Sequence, residues 1–137
     1  MWSHSESTET SASPARVWAL FRDVAGWKRW NHGIERIELH GAFADGGTFT
    51  MQPPGADAFV STLCDVRENE GFTDETLLDG TRVRVHHRIE ALAPGRTRIV
   101  YATEIEGPQA AEFGAMITAD FGAVLSALKR CAEAQTG

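Results

Sequence analysis

The sequence has few of the residues that mark disulfide-rich, zinc-binding, basic or membrane-spanning proteins. It contains two cysteines in 137 residues, Cys64 and Cys131, too few for a disulfide framework and without the spacing of zinc ligands. Acidic residues outnumber basic ones by 19 to 13, which gives a formal net charge of −6. That balance argues against binding to nucleic acid or to an anionic membrane. No segment approaches the run of about 18 apolar residues that a transmembrane helix requires.

The sequence also lacks a glycine-rich phosphate loop and internal repeats, and we expect no secretory signal. The chain begins Met1-Trp2-Ser3-His4, with neither a basic nor an apolar leader segment. Hydrophobic residues make up 42% of the chain and charged residues 23%, as in ordinary globular proteins. We therefore expect a soluble cytoplasmic protein that folds as a single domain over residues 1–137 and uses neither a metal nor a cofactor.

The spacing of apolar residues predicts helices near both ends of the chain and antiparallel strands between them. Residues 3–11 alternate weakly and predict a polar edge strand. Ser13 is a suitable helix cap with Pro14 at the first helical position, Gly26 ends that helix, and residues 27–31 predict a second short helical turn. Period-two alternation then predicts six strands, near residues 34–39, 47–51, 59–68, 72–78, 82–90 and 96–106.

The C-terminal segment returns to helical spacing after Pro108. Its apolar residues recur every three or four positions, which places them on one face of a helix: Phe113, Ile117, Phe121, Val124, Leu128 and Cys131. At about 1.5 Å per residue such a helix is about 40 Å long and has to lie across the whole sheet. The fold class is therefore α+β.

The Asp79-Gly80 turn allows cross-strand partners to be predicted, because a two-residue turn of this composition determines the pairing register. It places Glu75 opposite Arg84, an ion pair typical of the solvent-facing side. The opposite, inward face then carries Phe72, Asp74, Thr76, Val83, Val85, His87 and Ile89. The next strand adds Ile99, Tyr101, Thr103 and Ile105, and the preceding strand is expected to add Val60, Thr62, Cys64 and Val66.

Several of these inward residues are polar, where a packed core favours aliphatic side chains. Buried polar groups without partners cost a few kcal/mol each. Two arrangements avoid that cost: the polar groups bond to one another in a tight core, or they line a cavity that holds a ligand. The sequence leaves both open, since aromatic side chains on the same faces are large enough to fill the space.

His87 and Asp74 are diagonal neighbours on this inward face. A carboxylate beside an imidazole selects one tautomer and raises the histidine pKa toward neutrality, which suits a general acid or base. The alternative is a buried structural histidine with Asp74 solvated at the strand's open end. His86 faces outward, so the His86-His87 pair does not predict a metal site. Asp120 lies at the edge of the apolar helix face, either at a cavity mouth or simply in solvent.

The order of elements and two sequence stretches resemble the START-like superfamily, also called SRPBCC or birch-pollen-allergen-like. The first stretch, residues 11–23 (SASPARVWALFRD) followed by Trp27 and Trp30, is similar to the opening motif of that superfamily. The second, residues 95–101 (GRTRIVY), is similar to its last strand. The resemblance covers essentially the whole chain. It implies a helix-grip fold, in which a seven-stranded antiparallel sheet wraps around a long C-terminal helix and two short helices follow the first strand.

Short bacterial members of this superfamily are mostly polyketide cyclase/dehydrase-like, so the resemblance implies a small hydrophobic, ring-containing ligand in an internal cavity. On this hypothesis His87 is the general acid or base, Asp74 orients it, and Tyr101 or Thr103 hydrogen-bonds a substrate oxygen. The ligand-binding residues predicted beside these are Phe49, Met51, Phe72, Thr76, Val83, Val85, Phe113, Ile117, Asp120, Phe121 and Val124.

The resemblance leaves two other functions open. One is a non-catalytic lipid or small-molecule carrier or sensor; the other is an accessory domain like the Hsp90 activators. Catalysis is therefore undecided at this stage. The small residues Ala111, Ala115 and Ala119 on the opposite side of the long helix offer a possible dimer contact, so both a monomer and a homodimer are considered. The first strand is more polar than is usual in the superfamily, which predicts a wetter pocket wall.

Overall fold

The computed structural model describes residues 1–134, which form an antiparallel seven-stranded sheet, two short helices after the first strand and a helical segment at the C-terminus. This is the helix-grip fold that the sequence predicts. The last three residues of the predicted domain, 135–137, lie outside the described residues. The strands are β1 Trp2–Thr10, β2 Arg36–His40, β3 Thr48–Gln52, β4 Phe59–Arg67, β5 Gly71–Leu78, β6 Thr81–Ala93 and β7 Arg96–Glu106; the helices are α1 Pro14–Arg22, a 3₁₀ helix Val24–Arg29, α2 Ala110–Thr118 and α3 Phe121–Ala134.

The strands lie in the order β1-β7-β6-β5-β4-β3-β2, so β1 joins the sheet beside the last strand. Sequential strands are otherwise neighbours, as short turns require. At the Asp79-Gly80 turn both φ angles are positive, 50° and 81°, which matches a type I′ hairpin. The predicted pairings are confirmed from this turn onward, including Glu75 with Arg84, whose side chains form an ion pair at 2.7 Å.

Helix α1 begins where the sequence predicts. The Ser13 side chain accepts a hydrogen bond from the Arg16 N–H at 3.1 Å, and Pro14 occupies the first turn. These two residues satisfy the usual requirements of a helix N-terminus. The buried face of α1 consists of Val17, Trp18, Leu20 and Phe21. The 3₁₀ helix that follows buries Trp27, and Trp30 caps its end and is buried as well.

The C-terminal helical segment spans 25 residues, Ala110–Ala134, and is interrupted at Ala119 and Asp120, where α2 gives way to α3. It begins two residues after Pro108 because Gln109 has a positive φ of 63°, a conformation outside the helical region. By length and composition alone the segment meets the minimum for crossing a membrane, so the prediction that no segment approaches this minimum is wrong; 33% of its most apolar window is buried. Core helices of soluble proteins meet the same minimum, and here Phe121 and Leu128 are buried in the core. The segment packs mainly against β1 and β7.

The prediction for the face of β4 is wrong for Val60, Thr62 and Cys64 and is confirmed for Val66. Thr62 pairs with Glu75 and Cys64 with Thr73, so Thr62 and Cys64 lie on the outward side, and Val60 is 55% exposed. The inward residues are instead Ser61 and Leu63, both almost fully buried. A β-bulge between Cys64 and Arg67, with a positive φ of 50° at Asp65, adds one residue to the strand. The extra residue reverses the alternation, and Val66 consequently packs against the core.

Candidate functional site

Strands β5, β6 and β7 bring Asp74, His87 and Tyr101 together at the centre of the concave face of the sheet. His87 pairs with Phe72 on one side and with Tyr101 on the other. The Nε2 atom of His87 lies 3.8 Å from Oδ2 of Asp74, and the two side chains are only 10% and 14% exposed. The sequence prediction that these three residues are neighbours on an inward face is thus confirmed.

Aromatic rings enclose the imidazole of His87. The Phe72 ring stacks on it at 4.1 Å between centroids, and Tyr101 meets it edge-on at 4.6 Å. Phe21 of α1 contacts both His87 and Phe72 in edge-to-face geometry. Phe121 of α3 packs edge-to-face against Tyr101. Side chains from two helices and two strands therefore exclude water from the histidine.

Burial determines the protonation of this cluster. It lowers the pKa of His87 to about 3 and raises the pKa of Asp74 to about 7, because the charged form of each group loses its hydration. Burial, with the Asp74 and Asp120 carboxylates, raises the pKa of Tyr101 far above its usual value. The expectation that Asp74 raises the histidine pKa is therefore wrong: at neutral pH the imidazole is uncharged, and Asp74 is the group that titrates.

Two buried ring nitrogens have no hydrogen-bond partner in the part of the chain that the structure describes. They are Nδ1 of His87 and Nε1 of Trp30, and both side chains contact the ring of Phe21. An unpaired buried donor or acceptor costs about 1–3 kcal/mol. Trp30 and Phe21 are not among the site residues predicted from the sequence. The sequence feature that could have identified them is the pair of tryptophans directly after α1, Trp27 and Trp30. That pair was interpreted as part of a short helical turn and of the family resemblance.

The inward threonines, in contrast, are already hydrogen-bonded. Thr76 shares a hydrogen bond with Ser61 at 2.6 Å, and the Thr103 hydroxyl donates to the carbonyl of Arg84 at 2.8 Å. The first alternative left open by the sequence, hydrogen bonding within the core, therefore applies to these threonines. The threonines satisfy their polar groups within the core, whereas His87 and Trp30 do not.

The remaining predicted residues surround this cluster at different depths. Phe49, Phe72, Val83, Phe121 and Val124 are buried, and Met51, Val85, Phe113 and Ile117 are half-buried. Asp120 is exposed, in the turn between α2 and α3. Its Oδ2 and Oδ1 of Asn31 lie against Gly33, each 3.1 Å from the position that a Cβ of that glycine would occupy. Asp120 thus sits at the rim where the loop after the 3₁₀ helix meets the C-terminal segment.

Two clefts on residues 1–134 lie outside the space between the helical segment and the centre of the sheet. One cleft of about 290 Å³ lies around Gly71 and Thr73, and another of about 460 Å³ lies between Ser13, Pro14 and the β6–β7 turn. Neither includes Asp74 or Tyr101. His87 and Phe72 of the cluster line the first of these clefts. Within the same residues no group of three or more histidine, cysteine, aspartate or glutamate side chains is arranged to hold a metal ion.

Comparison with known proteins places this arrangement in context. The sequence model of a family described as "Polyketide cyclase / dehydrase and lipid transport" matches residues 1–133. No match to a curated protein sequence was found. Among solved structures, a START superfamily protein from Mycobacterium smegmatis is 17% identical with a TM-score of 0.78, covering 98% of this chain and 99% of its own.

Two further solved structures have the same fold. The Aha1 dimer from Colwellia psychrerythraea is 17% identical with a TM-score of 0.76, and 100% of each chain is covered. Norcoclaurine synthase from Thalictrum flavum, in complex with dopamine and hydroxybenzaldehyde, is 15% identical with a TM-score of 0.72, covering 99% of this chain and 88% of its own. At these identities the likeness establishes the fold and leaves the function to the site.

Proposed function

Because this chain belongs to the polyketide cyclase / dehydrase and lipid transport family, we propose that it binds a small, largely apolar, ring-containing molecule between the concave face of the sheet and the C-terminal helical segment. One observation carries the proposal: the unpartnered nitrogens of His87 and Trp30 lie within one aromatic enclosure. An aromatic ligand with polar ring substituents stacks on such walls and supplies the missing hydrogen bonds.

The proposed walls are those predicted from the sequence together with the aromatic residues of α1 and the 3₁₀ helix. The half-buried residues Val85 and Ile117 mark the side from which the ligand enters, next to Asp120 at the rim. Because aromatic side chains enclose the imidazole, binding requires some of them to change rotamer. The protein acts as one domain over residues 1–137, in the cytoplasm, as a monomer or homodimer and without a cofactor.

The proposed chemistry is proton transfer during cyclisation or dehydration of a carbonyl compound. A carboxyl group whose pKa is about 7 exchanges its proton readily near neutral pH. The Asp74 carboxylate removes a proton from the carbon next to a ketone, and the resulting acid returns it to a hydroxyl that leaves as water. In a cyclisation it returns the proton to the alkoxide formed by ring closure. His87 and Tyr101 hydrogen-bond the substrate oxygens and hold the reacting conformer.

A non-catalytic carrier or sensor is the second candidate. It is favoured by the hydrogen bonds of Thr76 and Thr103, which leave few polar groups for chemistry. The third candidate, an accessory domain that docks on a partner protein, is favoured by the exposed apolar side of α2, where Met116 is 67% exposed. Substituting Ala115→Arg abolishes partner capture only in this third case.

Native mass spectrometry tests the ligand site. The protein is incubated with a panel of ring-containing ketones and phenols and with a cell extract, and compared with a denatured control. We expect a discrete low-mass adduct that Val85→Trp removes, because the indole occupies the inner wall. Val60→Trp, the same substitution on the outward side of the sheet, is the matched control and retains the adduct. Absence of any adduct from folded protein contradicts the ligand site.

Catalysis is tested with Asp74→Asn, which keeps the shape of the side chain but does not exchange a proton. The adduct should persist while conversion of the bound ketone falls by about 10²-fold or more. His87→Gln should weaken both binding and conversion. If the wild type and Asp74→Asn convert the ketone equally, the non-catalytic carrier is the better-supported function.

A further inference from the structure

Three side chains on the convex face of the sheet form a continuous hydrogen-bonded relay that the proposed function does not use. Oγ1 of Thr73 lies 2.8 Å from Nδ1 of His86, and Nε2 of His86 lies 2.6 Å from Oε1 of Glu104. We propose that Thr73 is the nucleophile of a second site, which accepts the acyl group of a small, uncharged carboxylic ester, with His86 as its general base.

The chemistry of Glu104 determines the direction of the hydrogen bonds. The hydrogen bond from His86 lowers the pKa of Glu104, so its carboxylate only accepts and Nε2 of His86 carries the proton. In the neutral imidazole Nδ1 is then an acceptor, and the Thr73 hydroxyl is the donor to it. A hydroxyl that donates to an imidazole, which in turn donates to a carboxylate, is the arrangement that activates alcohol nucleophiles.

Two members of the relay, Thr73 and His86, are unusually dry for the outward side of a sheet, whereas the Glu104 side chain is 43% exposed. Thr73 is 3% exposed, whereas Leu77, four residues along the same strand and on the same face, is 70% exposed. The His86 side chain is 14% exposed. The pairing register holds the relay rigidly, since Thr73 lies opposite His86 and His86 lies opposite Ala102, two residues before Glu104. Hydrogen bonds among groups with little access to water are stronger than those on an open surface.

Thr73 also lines the cleft of about 290 Å³, together with the inward-facing residues Phe72 and His87. The cleft surrounds Gly71, whose φ of 137° and close approach to the His87 carbonyl leave no room for a side chain. A volume of this size is at the low end for ligand sites, so the cleft suits an ester with a short acyl chain.

Two arginines supply positive charge at this cleft. Arg67 and Arg88 both line it, and neither forms an ion pair or side-chain hydrogen bond with another residue among 1–134. A free guanidinium is able to stabilise the oxyanion that forms during acyl transfer. Three carboxylates, Asp65, Glu70 and Glu90, line the same cleft. Their charge disfavours an anionic substrate, and for this reason the proposal specifies an uncharged ester.

The proposed reaction balances without any further reagent. Oγ1 of Thr73 forms a bond to the carbonyl carbon of the ester while its proton passes to Nδ1 of His86. The bond between that carbon and the alcohol oxygen breaks, and the alcohol leaves with the proton from His86. The acyl group remains on Thr73 as an ester. Water, activated in the same way by His86, then releases it as a carboxylic acid.

The probe is p-nitrophenyl acetate, mixed with the purified full-length protein. We expect a burst of p-nitrophenol approaching one equivalent and an acetyl group that peptide mapping by mass spectrometry locates on Thr73. Thr73→Val removes the burst and the acetyl group. Thr73→Ser retains both, because serine keeps the hydroxyl. His86→Gln lowers the acetylation rate by about 10²-fold or more.

The matched control is Thr50, whose Oγ1 lies 2.7 Å from Nε2 of His40. That pair is exposed, its nearest carboxylate, Glu38, is 4.0 Å from His40, and neither cleft includes it. Thr50→Val should leave acetylation unchanged. Acetylation at another residue, or a burst of the same size from folded Thr73→Val, overturns the proposal. The proposal is also overturned if no acetyl-enzyme forms and the wild type hydrolyses the ester no faster than His86→Gln.

Discussion

The imidazole of His87 lies almost parallel to the ring of Phe72, with 4.1 Å between the centroids and 10° between the planes. The face of an aromatic ring attracts a cation, which by itself favours a protonated histidine. The pKa of His87 nevertheless falls to about 3, and its largest cause is burial. In this enclosure the loss of hydration outweighs the attraction of the ring, and the neutral imidazole stacks as an aromatic group.

Asp74→Asn should stabilise the protein increasingly as the pH rises from about 4 to about 7. The pKa of Asp74 is raised to about 7 in the folded protein, against about 3.9 in an unfolded chain. Between these values the folded state holds a proton that the unfolded state has lost, so wild-type stability falls with rising pH. The asparagine variant does not lose stability in this way. At pH 8 its free energy of unfolding should exceed that of the wild type by on the order of 2–4 kcal/mol.

Urea unfolding of both proteins at several pH values between 4 and 8 measures this difference. Asp57→Asn, at an exposed position in the loop before β4, is the control and should show no comparable trend. A stability difference between wild type and Asp74→Asn that does not change with pH would mean that the carboxyl group is solvated.

His87→Gln should show the opposite dependence. The pKa of His87 is lowered to about 3, below the unfolded value of about 6.5. From about pH 6.5 down to about 3 the unfolded state binds a proton that the folded state does not, so wild-type stability falls as the medium becomes acidic. The glutamine variant should therefore lose less stability on acidification than the wild type. Chemical denaturation at pH 4 and pH 7 checks the sign, and a variant that is more sensitive to acid contradicts it.

Gly114→Ala should destabilise the protein by about 1–3 kcal/mol, because a new methyl group has no room. A Cβ on Gly114 would overlap the indole of Trp2, where α2 crosses β1. The control is Gly122→Ala in α3, where the nearest atom, Oε1 of Glu6, is 3.5 Å away, an ordinary contact. Replacing that helical glycine should stabilise by up to about 1 kcal/mol. Thermal unfolding of the two variants should show shifts of opposite sign; equal shifts would contradict the close contact with Trp2.

Glu133→Gln should loosen the contact between the end of α3 and the end of β1. The carboxylate accepts from the Thr10 hydroxyl at 2.7 Å and from Nζ of Lys129 at 2.8 Å, and these bonds lower its pKa to about 2. The stabilisation is present above about pH 4.5 and lost as the pH falls toward 2. Since the side chain is about a third exposed, we expect a loss of only about 1 kcal/mol at pH 7.

Glu112→Gln, exposed on α2, should change stability by less than about 0.5 kcal/mol. Equal losses in both variants, measured by urea unfolding, would contradict the contact.

The sequence by itself determined the elements of this fold where the signals are local. The cap at Ser13 and the two-residue turn at Asp79-Gly80 act within a few residues, so both the start of α1 and the pairing of β5 with β6 were predicted correctly. Alternation along those strands then placed Asp74, His87 and Tyr101 on one inward face. The interruption of the C-terminal helix at Ala119 had no such local signal.

The tertiary structure alone decided which side β4 buries and how the central cluster is charged. The bulge at Asp65 changes the alternation by one residue, and its position depends on pairing with β5. The charges depend on burial, which Phe21, Trp30 and Phe121 supply from helices distant in the chain. A sequence pattern shows that Asp74 and His87 are adjacent, and adjacency predicts an ion pair. Only the assembled enclosure excludes water, and the loss of water keeps the imidazole uncharged at neutral pH and raises the pKa of Asp74 to about 7.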